Sequence, residues 1–473
     1  MPTHDLSGQR VTVMGLGRFG GGVAVTRYLA ALGADILVTD LAKPETLSDA
    51  ISELQPLIDR TQVTLRLGEH NVSDFTTCDL VIANPAVPKP WDNRFLRAAA
   101  AASIPITTEI RLSIERIPTA ATVVAVTGSA GKSTTAAMAA HALEKSWQRG
   151  RVVFAGNIGR SLLHEDLSPD DCIVLELSSA QLHWLGPNSL TGEPAPLVPD
   201  AAVFTTLSKN HIDWHGSFEH YRKSKHWLAA ITREHGGAIM ASEQAAEAFG
   251  FDSHTPPSDD LELALPGQHN RANASLAFAA ASHVLSTCNQ PAPGSSVLGD
   301  FAGLPHRLEL VTDTQIAGGR FRAFNDSKCT TPDGVRLAVD AFDQPDEIGA
   351  SRIWLIAGGY DKGTDPTPIA MAGARCARVF CIGDTGATIA ASIQQQGGTA
   401  IVAETLDRAV AQAIAQIRDS NGPGVLLLSP GFASWDQFAN YEKRGEVFAE
   451  AVKSVLYRGS LEDRSKTFQK IQK

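Results

Sequence analysis

The residues most able to do chemistry in this chain lie around position 130, where TGSAGKST (Thr127–Thr134) follows the apolar run TVVAVTG and leads into TTAAMAAHALEK. A turn built from Gly128, Ser129, Ala130 and Gly131 between a strand and a helix lets backbone N–H groups approach phosphate oxygens, while the helix start adds partial positive charge. Lys132 is spaced to reach the β- and γ-phosphates of a nucleotide, and the hydroxyls of Ser133 and Thr134 follow, Ser133 as a ligand for Mg²⁺. The longer phosphate-loop pattern is incomplete, because Val126 stands where its first glycine belongs.

A second glycine turn opens the chain. VTVMGLGRFG carries Gly15, Gly17 and Gly20 at G-x-G-x-x-G spacing, and DILVTD ends in Asp40, twenty residues past the last glycine. That is the form of a dinucleotide fingerprint, and a dehydrogenase is its first reading. Any Rossmann-type first turn, however, needs such glycines for packing. Two phosphate-binding turns imply two phosphorylated ligands, and a redox cofactor accounts for only one.

These turns require elements to hold them. From Val11 to about Ile114, apolar runs alternate with amphipathic stretches (VTVMG, ADILVTD, QVTLRLG, DLVIANPAVP, IPITTEI), which predicts a parallel sheet wrapped by helices. Turn-forming residues at RIPTAA mark a boundary. A second segment reaches about Gly303 and contains TVVAVTG, RVVFAGN, CIVLELSS and AAVFTTLS as buried strands, then an Ala-rich helix over Asn273–Val284. A third begins near Leu304 with IWLIAGG, RVFCIGD and VLLLSPG. The fold expected is α/β with three domains: Rossmann-like over 1–117, a phosphate-loop ATPase on a parallel sheet over 118–303, and Rossmann-like again over 304–473. Ligands in such sheets gather at the carboxyl ends of the strands.

Composition agrees. A chain of 473 residues exceeds what one core serves, and 43% hydrophobic with 19% charged residues is ordinary for a globular enzyme. A net charge of -10 argues against a dedicated nucleic-acid binder. Six cysteines without a C-x-x-C pair suit reduced, mostly buried thiols. The opening MPTHDLSGQR has no apolar signal core, and no run of eighteen apolar residues follows. The expectation is a cytoplasmic monomer with no membrane and no nucleic-acid partner.

TGSAGKST, GNIG, ELSSAQL, NHIDWHGSFEHYRKSK, GQHNRANA, LPHRLE, NDSKCT and SPGFASWDQF occur in this order. Through them the chain, from about Val11 to Ala451, resembles the Mur ligases, and within them the glutamate-adding branch. The resemblance implies one domain for a UDP-sugar, one for ATP and one for the incoming amino acid. It also implies the reaction: ATP-dependent addition of D-glutamate to UDP-N-acetylmuramoyl-L-alanine through an acyl phosphate, in peptidoglycan precursor synthesis. The first glycine turn then receives a uridine diphosphate, with Gly17, Arg18 and Phe19 near the diphosphate, Asp40 near the uracil and Asn84 at the sugar-nucleotide.

A carboxylate is a poor electrophile and hydroxide a poor leaving group, so phosphorylation must precede amide formation. Bringing two anions together demands cations at the transferring phosphoryl group. The resemblance supplies them. Lys132 meets the phosphates, Glu176 and Ser133 hold Mg²⁺, and His211 holds a second ion with Lys225, the lysine that the family carbamylates. Lys223 competes with Lys225 for that assignment, and His215 with His211. Asn157 and Ser178 resemble contacts to the substrate carboxylate and phosphate, Asn273 lies against the adenine, Arg307 meets the γ-phosphate as a clamp from the next domain, and Asp326 contacts the ribose.

For the amino acid, the chain lacks the D-N-P-R-like motif of the diamino-acid-adding branch. Lys328, Thr330, Lys362 and Ser434 match the glutamate-adding type, Lys362 with a catalytic part as well, and Tyr441 stands where that type has an aromatic residue. The chain departs from the family pattern at Ala130 (commonly Asn), at Trp214 (commonly Arg) and at ANPAVP, around Asn84 (commonly S-P-G-I). Competing readings are a ligase that adds L-glutamate, one with another acceptor in the manner of a folylpolyglutamate synthase, and a catalytically silent nucleotide-binding partner.

Overall fold

The computed structural model describes residues 5–17, 20–158, 161–188, 190–343, 347–361, 363–420 and 422–471, with side chains as far as Tyr457. Three sheets organise the chain. The first has five parallel strands, β1 (Arg10–Met14), β2 (Asp35–Asp40), β3 (Val63–Leu67), β4 (Leu80–Ala83) and β5 (Ile106–Thr107), in the order β3-β2-β1-β4-β5. The second is also parallel, with β6 (Thr122–Thr127), β7 (Val152–Gly156), β8 (Cys172–Glu176), β9 (Ala201–Phe204) and β10 (Ala238–Ala241) in the order β10-β9-β6-β8-β7. Every residue of β6, β8 and β9 is buried, as strands covered on both faces must be.

The third sheet holds β11 (Glu309–Ile316), β12 (Gly319–Asn325), β13 (Ile353–Gly358), β14 (Arg378–Ile382), β15 (Ala400–Glu404) and β16 (Gly424–Leu428), ordered β11-β12-β16-β13-β14-β15. It is parallel except at its edge, where β11 and β12 form an antiparallel hairpin. The expected run of buried parallel strands missed this hairpin, because β11 is half exposed and its sequence, ELVTDTQI, is correspondingly polar.

The chain packs as two compact units, residues 1–258 with 272–297 and residues 259–271 with 298–473. The first two sheets lie in the first unit and the third in the second. All six cysteines are free thiols, and four of them, Cys78, Cys172, Cys376 and Cys381, are buried. Among the described residues no helix is long and apolar enough to cross a membrane.

Candidate active site

In the first unit the phosphate turn follows β6. Gly128 takes a φ of 152° and lies so close to the Thr205 hydroxyl that a Cβ would overlap it, while Gly131 has a φ of 83° and a Cβ there would come within 2.6 Å of the Asn273 side-chain oxygen. Both glycines are thus required by close approach as well as by conformation. The second contact puts Asn273 directly over the start of the helix Lys132–Ser146, whose N-cap, Gly131, provides no side-chain hydrogen bond. A fifteen-residue helix starting without a side-chain cap offers its first amides to an anion. Ser133 is buried in its first turn, and Thr134 follows half-buried. The Lys132 ammonium donates to the Ser129 carbonyl at 3.1 Å.

The turn is braced from the side by the segment that follows β9. Ser129 N–H donates to the Thr206 carbonyl at 2.8 Å and Ala130 N–H to the Thr206 hydroxyl at 2.9 Å. Ala130 therefore contributes backbone groups only, and its departure from asparagine leaves the turn intact. The Ser129 hydroxyl pairs with the Tyr221 hydroxyl at 2.7 Å.

Glu176 ends β8 beside β6 and is almost wholly buried. One carboxylate oxygen accepts from Asn157 Nδ2 at 3.0 Å, and the other is buried without a hydrogen-bond partner among the described residues. A buried carboxylate oxygen left unpaired is costly, and a cation is the partner that relieves it. Asn157, at the end of the neighbouring β7, thereby orients the carboxylate.

Lys225 is 1% exposed, whereas Lys223 is exposed to solvent. Its ammonium donates to the Gly128 carbonyl at 2.8 Å and the Thr127 hydroxyl at 3.1 Å, and lies 5.0 Å from the Tyr221 ring centre. Burial above all, then the nearby Lys132, holds its pKa well below the ordinary lysine range, with Glu176 opposing. Depression of that kind favours the neutral, nucleophilic amine.

His211 precedes the short helix Ile212–His215 in a left-handed conformation, φ 52°. Burial, then Lys132 and Lys225, lowers its pKa, which favours the neutral imidazole that binds metals. Its rival His215 has both ring nitrogens engaged, with the Ser179 hydroxyl at 2.9 Å and His220 Nδ1 at 2.9 Å. Ser178 likewise spends its hydroxyl on structure, capping the helix Ser179–Leu185 in a reciprocal box with Gln181.

At the first sheet, Gly15 and Gly17 have φ of 91° and 64°. Asp40, expected near a uracil, accepts from Gly17 N–H at 3.1 Å and Ala42 N–H at 2.8 Å, so it fixes the turn itself. Asn84 packs where a Cβ on Gly15 would stand, only 2.8 Å from its own Cβ, and donates to the Gly15 carbonyl at 3.2 Å. Close packing of helix on strand is met by Gly22, whose missing Cβ would overlap Leu16, rather than by Gly20, which has open space and a φ of 83°. Arg18 and Phe19 lie outside the described residues.

The second unit carries the other expected residues: Arg307 precedes β11, Asp326, Lys328 and Thr330 follow β12, Ser434 follows β16, and Tyr441 opens the helix Tyr441–Ile471. Arg307 is exposed between His306 and Leu308, both at positive φ (63° and 45°), a strained turn that holds the guanidinium outward. Asp326 accepts from the Ser429 hydroxyl at 2.8 Å and Leu308 N–H at 3.2 Å, and burial pushes its carboxyl up to about 7. Lys328 lies 5.2 Å from the ring centre of Tyr441, whose hydroxyl burial raises to about 12. Thr330 is half-buried and Ser434 buried. Lys362 lies outside the described residues.

Sequence reasoning missed Arg444. It is 1% exposed, and its guanidinium spans two loops: Ser327 through Oγ at 3.0 Å and the carbonyl at 2.9 Å, then the carbonyls of Phe432 at 3.0 Å and Ala433 at 3.3 Å. Those loops carry Lys328, Thr330 and Ser434. The available signal was an arginine three residues past Tyr441 and four before the fully buried Phe448, on the inward stripe of one helix.

A helix-capped phosphate turn beside a buried, half-satisfied carboxylate belongs to α/β enzymes that use a nucleoside triphosphate. The match to known families is more specific. Residues 9–108 match the Mur ligase MurD-like N-terminal domain, 126–255 the Mur ligase middle domain, and 306–431 the Mur ligase glutamate ligase domain. The chain is 31% identical to the UDP-N-acetylmuramoylalanine--D-glutamate ligase of Exiguobacterium sibiricum over 96% of this chain and 99% of that one. It is 33% identical to the enzyme of that name from Cereibacter sphaeroides, over 96% and 100%, and to that from Acidobacterium capsulatum, over 96% and 98%. This chain belongs to the Mur ligase family.

Proposed function

We propose that this protein joins D-glutamate to UDP-N-acetylmuramoyl-L-alanine at the expense of ATP; the enzymes it resembles are named for that pair of substrates. The observation that carries the reading is the unpaired buried oxygen of Glu176 beside a turn built to hold phosphate. Terminal carboxylate and γ-phosphate must meet there, and the chain answers their repulsion with Lys132 and the first amides of the helix Lys132–Ser146. The acyl phosphate so formed accepts the glutamate amine and releases phosphate through a tetrahedral intermediate. Arg307 serves the γ-phosphate, Asn273 the adenine and Asp326 the ribose. Gly17, Arg18, Phe19, Asp40 and Asn84 serve the sugar-nucleotide, with Asn157 and Ser178 at its carboxylate. Lys328, Thr330, Lys362, Ser434 and Tyr441 serve glutamate.

The residues fit Mg²⁺. Glu176 holds one buried oxygen with no hydrogen-bond partner among the described residues, a position suited to an ion that takes water and substrate phosphate as its other ligands. Ser133 and Glu176 would hold one ion, and His211 with a carbamylated Lys225 a second. Magnesium bound there would neutralise charge building up on the transferred phosphoryl group. The depressed pKa of Lys225 supports carbamylation, because only the neutral amine adds to carbon dioxide. We assign 1–117 to the UDP-sugar, 118–303 to ATP and 304–473 to the amino acid, in a cytoplasmic monomer that acts on small molecules alone.

The test is phosphate release by the purified protein from ATP, Mg²⁺ and UDP-N-acetylmuramoyl-L-alanine with D-glutamate, L-glutamate or other amino acids, the product being weighed by mass spectrometry. Release that needs both the UDP-sugar and D-glutamate is expected. Preference for L-glutamate would move the pathway step, and release independent of the UDP-sugar would replace the acceptor.

A further inference from the structure

Trp214 follows His211 by three residues and is nearly buried, 7% exposed. Its backbone carbonyl accepts from Lys89 N–H at 3.0 Å, and its indole N–H donates to the Pro85 carbonyl at 3.1 Å. These bonds grip both ends of one loop, the segment 84–90 that leaves β4. Its ring also packs against Trp91, centroids 5.9 Å apart, and His183, 5.4 Å apart. Lys89 takes a φ of 43°, a conformation that a lysine keeps only where its neighbours impose it, and the bond to the Trp214 carbonyl is one such constraint.

The other face of the loop meets the first glycine turn. Asn84 starts it, accepts from Ala86 N–H at 2.9 Å, donates to Gly15 at 3.2 Å and fills the space that a Cβ on Gly15 would need. A contact chain therefore runs from Gly15 through Asn84 and Pro85 to Trp214, three residues from His211. The two sequence departures at Trp214 and ANPAVP, more than a hundred residues apart, are the two sides of one contact.

We propose that Trp214 is a positioning residue for the sugar-nucleotide crevice: it clamps loop 84–90 so that the Gly15–Gly17 turn keeps a fixed register with the segment that bears His211. The part of this that concerns substrate rests on the function proposed above. A tryptophan that merely filled a core would affect stability and all substrates alike, whereas a clamp acts on one.

The test is Trp214→Phe, which keeps an aromatic ring and removes the indole donor. Loss of one such bond is expected to raise hydrogen exchange of the Val87 and Lys89 amides about five-fold, with β4 still protected. KM for UDP-N-acetylmuramoyl-L-alanine should rise by about the same factor, with KM for ATP and kcat changing less than about two-fold. Unchanged exchange at those amides overturns the clamp whatever the activity. Increased exchange with KM for ATP rising in step assigns Trp214 to general packing and overturns the substrate-specific role. Wild-type protein without turnover on this substrate would instead refute the functional reading, and the exchange measurement would still decide whether the loop is clamped.

Discussion

Replacing Arg444 by methionine tests whether one buried cation organises the amino-acid end of the site. The change keeps a long flexible stem and removes every donor. Three carbonyl oxygens and the Ser327 hydroxyl then lose a charged donor; the Ser327 and Phe432 carbonyls lose the donor that, among the described residues, Arg444 alone supplies, while the Ala433 carbonyl keeps Tyr360 N–H and the Ser327 hydroxyl keeps the Tyr441 carbonyl. At about 1.5 kcal/mol for each of the four charge-assisted hydrogen bonds removed, the loss is about 6 kcal/mol. Against it stands the desolvation of the charge, which draws the Arg444 pKa below the ordinary arginine range, down to about 10. That displacement corresponds to about 3 kcal/mol of burial cost, which methionine does not incur. The net destabilisation is on the order of 3 kcal/mol, or a fall in Tm of about 6–12 °C for a unit of this size.

The functional effect should be uneven. Arg444 touches the loops of Ser327 and Phe432–Ala433, whose neighbours Lys328, Thr330 and Ser434 are the glutamate candidates, so KM for glutamate should rise about ten-fold while KM for the UDP-sugar stays near wild type. Thermal melting by far-UV circular dichroism reads the first effect and steady-state phosphate release the second. Arg444→Lys, which keeps charge but not the planar fork, should recover less than half of either. A fall of under about 2 °C in Arg444→Met, with KM for glutamate unchanged, would refute the reasoning.

Lys132→Ala should abolish phosphoryl transfer yet leave UDP-sugar binding, measured by calorimetry, within about two-fold, because the two phosphate turns follow different strands; equal loss of both would contradict separate sites. Lys225→Ala should lose about 10²-fold or more in kcat and recover in part with added short-chain carboxylic acids, which stand in for a carbamate; full activity without rescue would exclude a role at the metal. Burial holds His183 down to about 4 and His215 down to about 3. The unfolded chain takes up protons at these histidines below about pH 6.5 and the folded chain does not, so their contribution is complete above pH 6.5 and is lost as pH falls toward 4. In urea titrations, a stability difference between wild type and His215→Gln that stays flat across that window would contradict the assignment.

The phosphate turn and the parallel strands were legible because backbone geometry limits what residues they accept. A strand buried on both faces reads as an unbroken apolar run, and a turn that brings Gly128 against Thr205 accepts no side chain. The β11–β12 hairpin was hidden for the opposite reason, since a half-exposed strand tolerates almost any sequence. Tyr221 and Arg444 were hidden because Ser129 and the loop at 327, which they bind, are distant in the chain, and no local pattern announces a bond across ninety or more residues.

Four residues that the resemblance places at ligands are also engaged within the fold. Asp40, Asn84, Ser178 and Asp326 were each singled out as touching a ligand, and each has its side chain committed to a backbone amide, carbonyl or neighbouring hydroxyl. Such commitments are compatible with ligand binding, because a carboxylate or carboxamide has more than one hydrogen-bonding position, and they supply the rigidity that binding requires. They change what a substitution would mean. Asp40→Asn would first release the Gly17 amide, so a loss of nucleotide affinity alone could not establish contact with a uracil. Changing Gly17 exchange and affinity together, by contrast, would identify the turn as the element through which Asp40 acts.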